Sequence, residues 1–161
     1  MNPATSVVTP VAGVAPFTFN TLAYDQAAGI VYLVANTDSS TRLAKYTIAT
    51  GAFSIIGQFI DKAWSGLTIP IRPMSLVAYQ GALYYVRRST TTAERDDLIR
   101  ITFTSAGAIA TQSKVADINA NANPGDATAA TVDDSGMMYF STNATTPTLC
   151  RYDLRNLSGY T

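Results

Sequence analysis

Leu22-Ala23-Tyr24-Asp25, then Gly29-Ile30-Val31-Tyr32-Leu33-Val34, then Leu43-Ala44-Lys45-Tyr46 is the stretch whose reading decides the fold. It recurs. A second copy runs Leu76-Val77-Ala78-Tyr79, Gly81-Ala82-Leu83-Tyr84-Tyr85-Val86 and Leu98-Ile99-Arg100-Ile101. A third runs Ala130-Thr131-Val132-Asp133, Gly136-Met137-Met138-Tyr139-Phe140 and Leu149-Cys150-Arg151-Tyr152. Tyr32, Tyr84 and Tyr139 are spaced 52 and 55 residues apart, and Leu43, Leu98 and Leu149 are spaced 55 and 51. Each copy joins short β-prone runs through Asp, Asn and Gly corners, where side-chain bonding and positive φ are tolerated.

Working outward, the first copy predicts strands over Phe17–Tyr24, Ile30–Ala35, Arg42–Ile48 and Phe53–Ile60, an antiparallel meander. The second predicts Met74–Tyr79, Ala82–Arg87, Leu98–Phe103 and Ile109–Val115. The third predicts Ala127–Val132, Met137–Ser141 and Leu149–Leu154. Ile30–Ala35 is apolar throughout, as in a strand covered on both faces. Only Arg95–Ile101 has any helical leaning, and its β-branched neighbours oppose it.

Four short strands recurring at roughly 40 to 55 residues are the signature of β-propeller blades. The copies resemble the loosely defined propeller repeats of bacterial surface and secreted proteins and of NHL-like and YVTN-like blades. Their pattern is Leu-Ala-Tyr-Asp, a glycine, a hydrophobic residue and tyrosine, then Leu-x-Arg/Lys. The second copy departs from it: Gln80-Gly81 is a shortened turn, and Phe103-Thr104-Ser105 replaces the Asp-x-x-Thr corner. The resemblance implies an all-β chain of three four-stranded antiparallel blades, approximately 17–60, 72–119 and 127–161. The blades are circularly offset, with 5–13 as a complementing fourth strand for the last.

That offset makes two segments an assembly edge. Val7, Val8 and Val11 form a β-prone run beside Pro10, which cannot donate to a ladder. Leu149, Arg151 and Tyr160 belong to the third copy, which lacks a fourth strand and so offers open N–H and C=O groups. Three blades fall short of the usual ring of about four to eight. The expected partner is therefore another copy exchanging N-terminal strands, the remainder of a larger propeller, or a larger assembly holding an open arc.

Composition narrows the function. The 161 residues are long enough for one sizeable core. Charged residues make up 14%, well under the usual quarter or so, while Thr, Ser and Asn are abundant. Eleven basic and eleven acidic residues cancel, which gives no electrostatic footprint for nucleic acid or an anionic membrane. No apolar window is long enough to span a bilayer, and no signal peptide is visible. The single cysteine, Cys150, sits in an alternating run as a small hydrophobe and forms no internal disulfide.

The candidate sites are modest. Lys62, Trp64 and Arg72 lie in the longest connection between copies, and the chain's one tryptophan there is a contact candidate or a side chain packed on the face. Lys45, Arg100 and Arg151 hold one repeated position, lining a surface with cations or simply facing outward from alternating strands. Tyr32, Tyr84, Tyr139 and Phe140 read as packing between sheets, each contributing about 2 kcal/mol when buried. Asp25, Asp133 and Asp134 fit turns better than calcium sites. With no histidine, one glutamate (Glu94), no Cys–His pair and no phosphate-binding glycine loop, the expectation is no cofactor, no metal and no enzymatic activity. The expected role is a structural or binding module of a cell surface or particle coat, contacting a protein or glycan partner by its loops. A virion structural protein is one alternative, and a lectin or carbohydrate-acting propeller is another.

Overall fold

The computed structural model describes residues 18–36, 41–59, 75–87, 97–117, 127–142 and 149–157. Every regular element among them is a strand. The first sheet holds β1 (Thr18–Asp25), β2 (Ile30–Asn36), β3 (Thr41–Thr47) and β4 (Ala52–Gln58). The second holds β5 (Val77–Tyr79), β6 (Ala82–Arg87), β7 (Asp97–Phe103) and β8 (Ile109–Asp117). The third holds β9 (Ala127–Val132), β10 (Met137–Thr142) and β11 (Leu149–Asp153). Strands pair antiparallel in chain order within each sheet, so each copy of the repeat is a meander.

The turns follow from their residues. Asp25 Oδ1 accepts from the Ala28 N–H at 3.1 Å and closes the β1–β2 corner. In the second sheet the shortened corner is a tight two-residue hairpin in which Gln80 (φ 49°) and Gly81 (φ 72°) are both left-handed. Such a turn matches the twist of the flanking strands. In the third, Asp133 Oδ1 accepts from Ser135 Oγ at 2.6 Å and from the Met137 N–H at 2.9 Å. β5 is shorter than the predicted Met74–Tyr79 strand. Ser75, just before it, is buried and uses its Oγ to accept the Val86 N–H at 3.2 Å.

The sheets stack, and period-two alternation explains how. Leu83, Tyr85, Ile99 and Ile101 point from sheet 2 toward sheet 1, where they meet Ala23, Tyr32, Val34 and Leu43. Tyr84, Val86 and Leu98 point the other way, toward Met138 and Phe140 of sheet 3. The run Ala82-Leu83-Tyr84-Tyr85-Val86 is apolar at every position because both faces of β6 are covered. Rings lock the first junction: Tyr32 stacks on Phe103 at 5.2 Å, and Phe59 meets Tyr85 edge-on at 5.3 Å.

One irregularity repeats. The β3–β4 ladder slips between Leu43 and Ala44, and the β7–β8 ladder slips between Leu98 and Ile99, the same repeat position. Each extra residue bulges the outer strand beside a small partner, Gly57 or Ala116, and at Gly57 a Cβ would collide with the Ile109 side chain of β8, so glycine there admits sheet 2 against sheet 1.

Of the expected assembly edge, Leu149 and Arg151 stand on β11, whose only strand neighbour among the described residues is β10. Val7, Val8, Val11 and Tyr160, and the segment 5–13, lie outside the described residues.

Candidate binding trough at the inner strands

β1, β5 and β9 each form one edge of their sheets, and they lie side by side, β1 against β5 and β5 against β9. A shallow trough of about 210 Å³ opens where they converge. Leu22, Ala23 and Tyr24 line one side, Leu76, Val77 and Ala78 the floor, and Ala130, Thr131 and Val132 the other side. Two kinds of chemistry meet there. Leu22 and Tyr24 are large, exposed and apolar or amphipathic. The strand edges carry backbone N–H and C=O groups not taken up by a neighbouring strand among the described residues. The trough is smaller than the roughly 300 Å³ where drug-sized pockets begin. It suits one ring or one side chain of an extended ligand, held by backbone hydrogen bonds with an aromatic ring alongside.

Outward from the trough, three cross-strand rows repeat. Ala23, Tyr32, Lys45 and Ser54 stand opposite one another across sheet 1. Val77, Tyr84, Arg100 and Ser113 do so across sheet 2, and Thr131, Tyr139 and Arg151 across sheet 3. The repeated cations are thus cross-strand partners of the repeated tyrosines. Burial pushes the Tyr32 phenol above its ordinary value, and the Asp25 charge adds to this. Burial likewise raises Tyr84, with the Arg100 guanidinium pulling the other way. Both phenols are therefore neutral at physiological pH, which makes them hydrogen-bond donors rather than bases.

Four acidic groups among the described residues are occupied locally. Asp25 and Asp133 close turns. Asp97 pairs with Lys114 at 2.8 Å. Asp153 accepts from Arg155 Nε at 2.9 Å, Arg155 Nη2 at 2.8 Å and Asn156 Nδ2 at 3.1 Å. The Arg155 side chain foremost, and then the Arg155 backbone N–H, hold the Asp153 carboxyl down at about 2. The Ser135 hydroxyl and the Met137 amide lower Asp133 in the same sense.

The expected contact residues Lys62, Trp64 and Arg72 lie outside the described residues. Leu149 and Arg151 are exposed on β11, on the opposite side of sheet 3 from sheet 2 and away from the trough. The trough carries no chemical motif in the sequence. Its signal was present in Leu22-Ala23-Tyr24, which is apolar on both faces of a first strand, but nothing local marks a strand as the inner one.

No protein-family model matches the chain, and no curated protein sequence matches it. Solved structures do. A luciferin-regenerating enzyme superposes with a TM-score of 0.59 at 13% identity, over 86% of this chain and 43% of that one. The GH74 xyloglucanase from Xanthomonas campestris superposes with a TM-score of 0.50 at 17% identity, over 82% of this chain and 20% of that one. This chain therefore spans less than half of either protein. Both have propeller-type folds, and at these identities the likeness is one of fold. Both are also named enzymes, which overturns the expectation of a chain without enzymatic activity. The expectation failed because missing histidine and an unpaired cysteine exclude only some chemistries. Paired carboxylates alone serve glycoside hydrolysis.

Proposed function

We propose that the three sheets are successive blades of a β-propeller, and that this module is a binding platform whose ligand sits at the inner-strand trough. The observation that carries this reading is the convergence of β1, β5 and β9 on a trough lined by Leu22 and Tyr24 beside open strand edges. The ligand is an extended chain, a glycan or a peptide, that presents one ring or side chain to the trough. The 14% charged fraction and neutral Ser/Thr surface support a setting on a cell surface or in a particle coat, a virion included. A second reading, a carbohydrate-acting propeller, is favoured by the xyloglucanase likeness together with the exposed Tyr24 ring, the kind of surface on which a sugar face stacks.

NMR titration of the labelled chain with xyloglucan oligosaccharides, cello-oligosaccharides and short extended peptides tests both. Binding that shifts the amides of Ala23, Ala78 and Thr131, and weakens roughly tenfold in Tyr24→Ala, is the expected result. Shifts that avoid all three inner strands would overturn the platform reading. Release of reducing sugar from the oligosaccharides would select the carbohydrate-acting form.

A further inference from the structure

Four large hydrophobic side chains are exposed among the described residues: Leu22, Tyr24, Ile48 and Leu149. The repeat shows what each should be touching. Leu149 holds the position of Leu43 and Leu98, as their shared register opposite the second strand shows. Leu43 and Leu98 are 0% exposed, clamped between one sheet and the next, whereas Leu149 is 74% exposed. Leu22 holds the position of Leu76, which is 2% exposed and buried against the preceding sheet, yet Leu22 itself is 61% exposed.

Ile48 completes the pattern. Its N–H donates to the Gly29 carbonyl at 3.0 Å, just as the Leu154 N–H donates to Gly136 at 2.9 Å. Leu154 is buried against sheet 2, and Phe103 at the same position in sheet 2 stacks on Tyr32 of sheet 1. Ile48, by contrast, is 50% exposed. Tyr24 matches Ala78 and Val132, which pack into the two junctions.

Among the described residues, two halves of a junction made twice within the molecule are thus left uncovered. Sheet 3 presents the leading half: Tyr139, Leu149 and Arg151, equivalent to Tyr32, Leu43 and Lys45 and to Tyr84, Leu98 and Arg100. Sheet 1 presents the receiving half: Leu22, Tyr24 and Ile48. The two halves are complementary because within the molecule each leading face is covered by a receiving face.

We infer that the receiving face of sheet 1 takes the leading face of sheet 3 from a second copy of this chain, and that two copies close a ring of six sheets. A head-to-tail contact closes when the rotations sum to a full turn. Three sheets fall below the usual range of about four to eight blades, and six fall within it. The match to 43% of a single solved propeller-type chain is in keeping with two copies filling one ring. Ile48 of one copy then sits on Tyr139 of the other, as Phe103 sits on Tyr32. This inference rests on the sheets being blades and buries Leu22 and Tyr24 in the junction, so the mass measurement tests it alone, while the amide shifts of Ala78 and Thr131, on strands outside that junction, test the trough alone.

Sedimentation equilibrium of the 161-residue chain is expected to give about 34 kDa, twice 17.1 kDa. A monomer with intact β-sheet circular dichroism would overturn the inference and leave the faces to further sheets of a longer chain or to a different partner. Leu149→Glu and Ile48→Lys each replace an exposed side chain, so each leaves the single chain folded and raises the dimer dissociation constant by about a hundredfold or more. Mixing the two variants leaves one junction with both halves intact, so a one-to-one heterodimer returns. A dimer indifferent to both substitutions, or no recovery on mixing, would overturn the head-to-tail arrangement.

Discussion

Gly136 is a position where sheets 2 and 3 leave no room for a side chain. Its φ is +84°, and a Cβ there would lie 2.5 Å from the Tyr79 hydroxyl. Gly136→Ala is expected to cost about 1–3 kcal/mol, from left-handed strain and the displaced ring together, measured as a shift in the urea midpoint. Gln80 shows the opposite case. It carries positive φ in a hairpin where glycine has no Cβ penalty, so Gln80→Gly is expected to stabilise the chain by about 1 kcal/mol in the same assay. The Asp153–Arg155 corner sets an acid response. The folded carboxyl titrates near 2, below its unfolded value, so its contribution is fully present above the unfolded value and is lost as pH falls from there toward 2. Asp153→Asn should flatten the acid limb of the stability curve over that window, and a carboxyl-carbon NMR titration of the parent should place the Asp153 midpoint near 2. The turn roles of Asp25 and Asp133 were legible from residue type and spacing alone, because an Asx corner needs only its own few residues.

At the scale of strands, two leucines at one repeat position make a controlled comparison. Leu98→Ala removes a side chain clamped between sheets 2 and 3 and is expected to cost about 2–5 kcal/mol. Leu149→Ala, at the same position of sheet 3, is expected to change single-chain stability by no more than about 0.5 kcal/mol when measured at high dilution. Tyr85→Ala, with its ring against Phe59, should resemble Leu98→Ala. The strands themselves were legible. Ala82–Arg87 has the expected bounds, and β7 is a strand through Asp97–Ile101, most of the one stretch with a helical leaning, Arg95–Ile101, because alternation and β-branching act locally. The bulges opposite Leu43 and Leu98 were not legible. The one at Gly57 sits where the Ile109 side chain of β8 packs in from the neighbouring sheet, and no run of residues within β4 or β8 states such a contact.

At the scale of the whole molecule, three sheets share two junctions, and the inner strands meet in a trough that neither composition nor spacing indicated. The site expected from the sequence centred on Trp64 because a lone tryptophan in a polar loop is a local oddity, whereas Leu22 and Tyr24 are ordinary strand residues until three first strands are brought together. Composition points the other way: the missing histidine, single glutamate and unpaired cysteine argue against enzymatic activity, yet the folds this chain resembles carry named enzymes. What the sequence by itself determined is the order of the strands, the antiparallel meander in each copy and the chemistry of the corners, all of which follow from period-two patterning and turn propensity over a few residues. Only the tertiary structure decided which faces are covered. Leu43, Leu98 and Leu149 occupy one position in three copies of the same motif, and two are buried while the third stands in the open. Burial is a property of the neighbouring sheet rather than of the residue, and the outer face of sheet 3 has no such neighbour among the described residues.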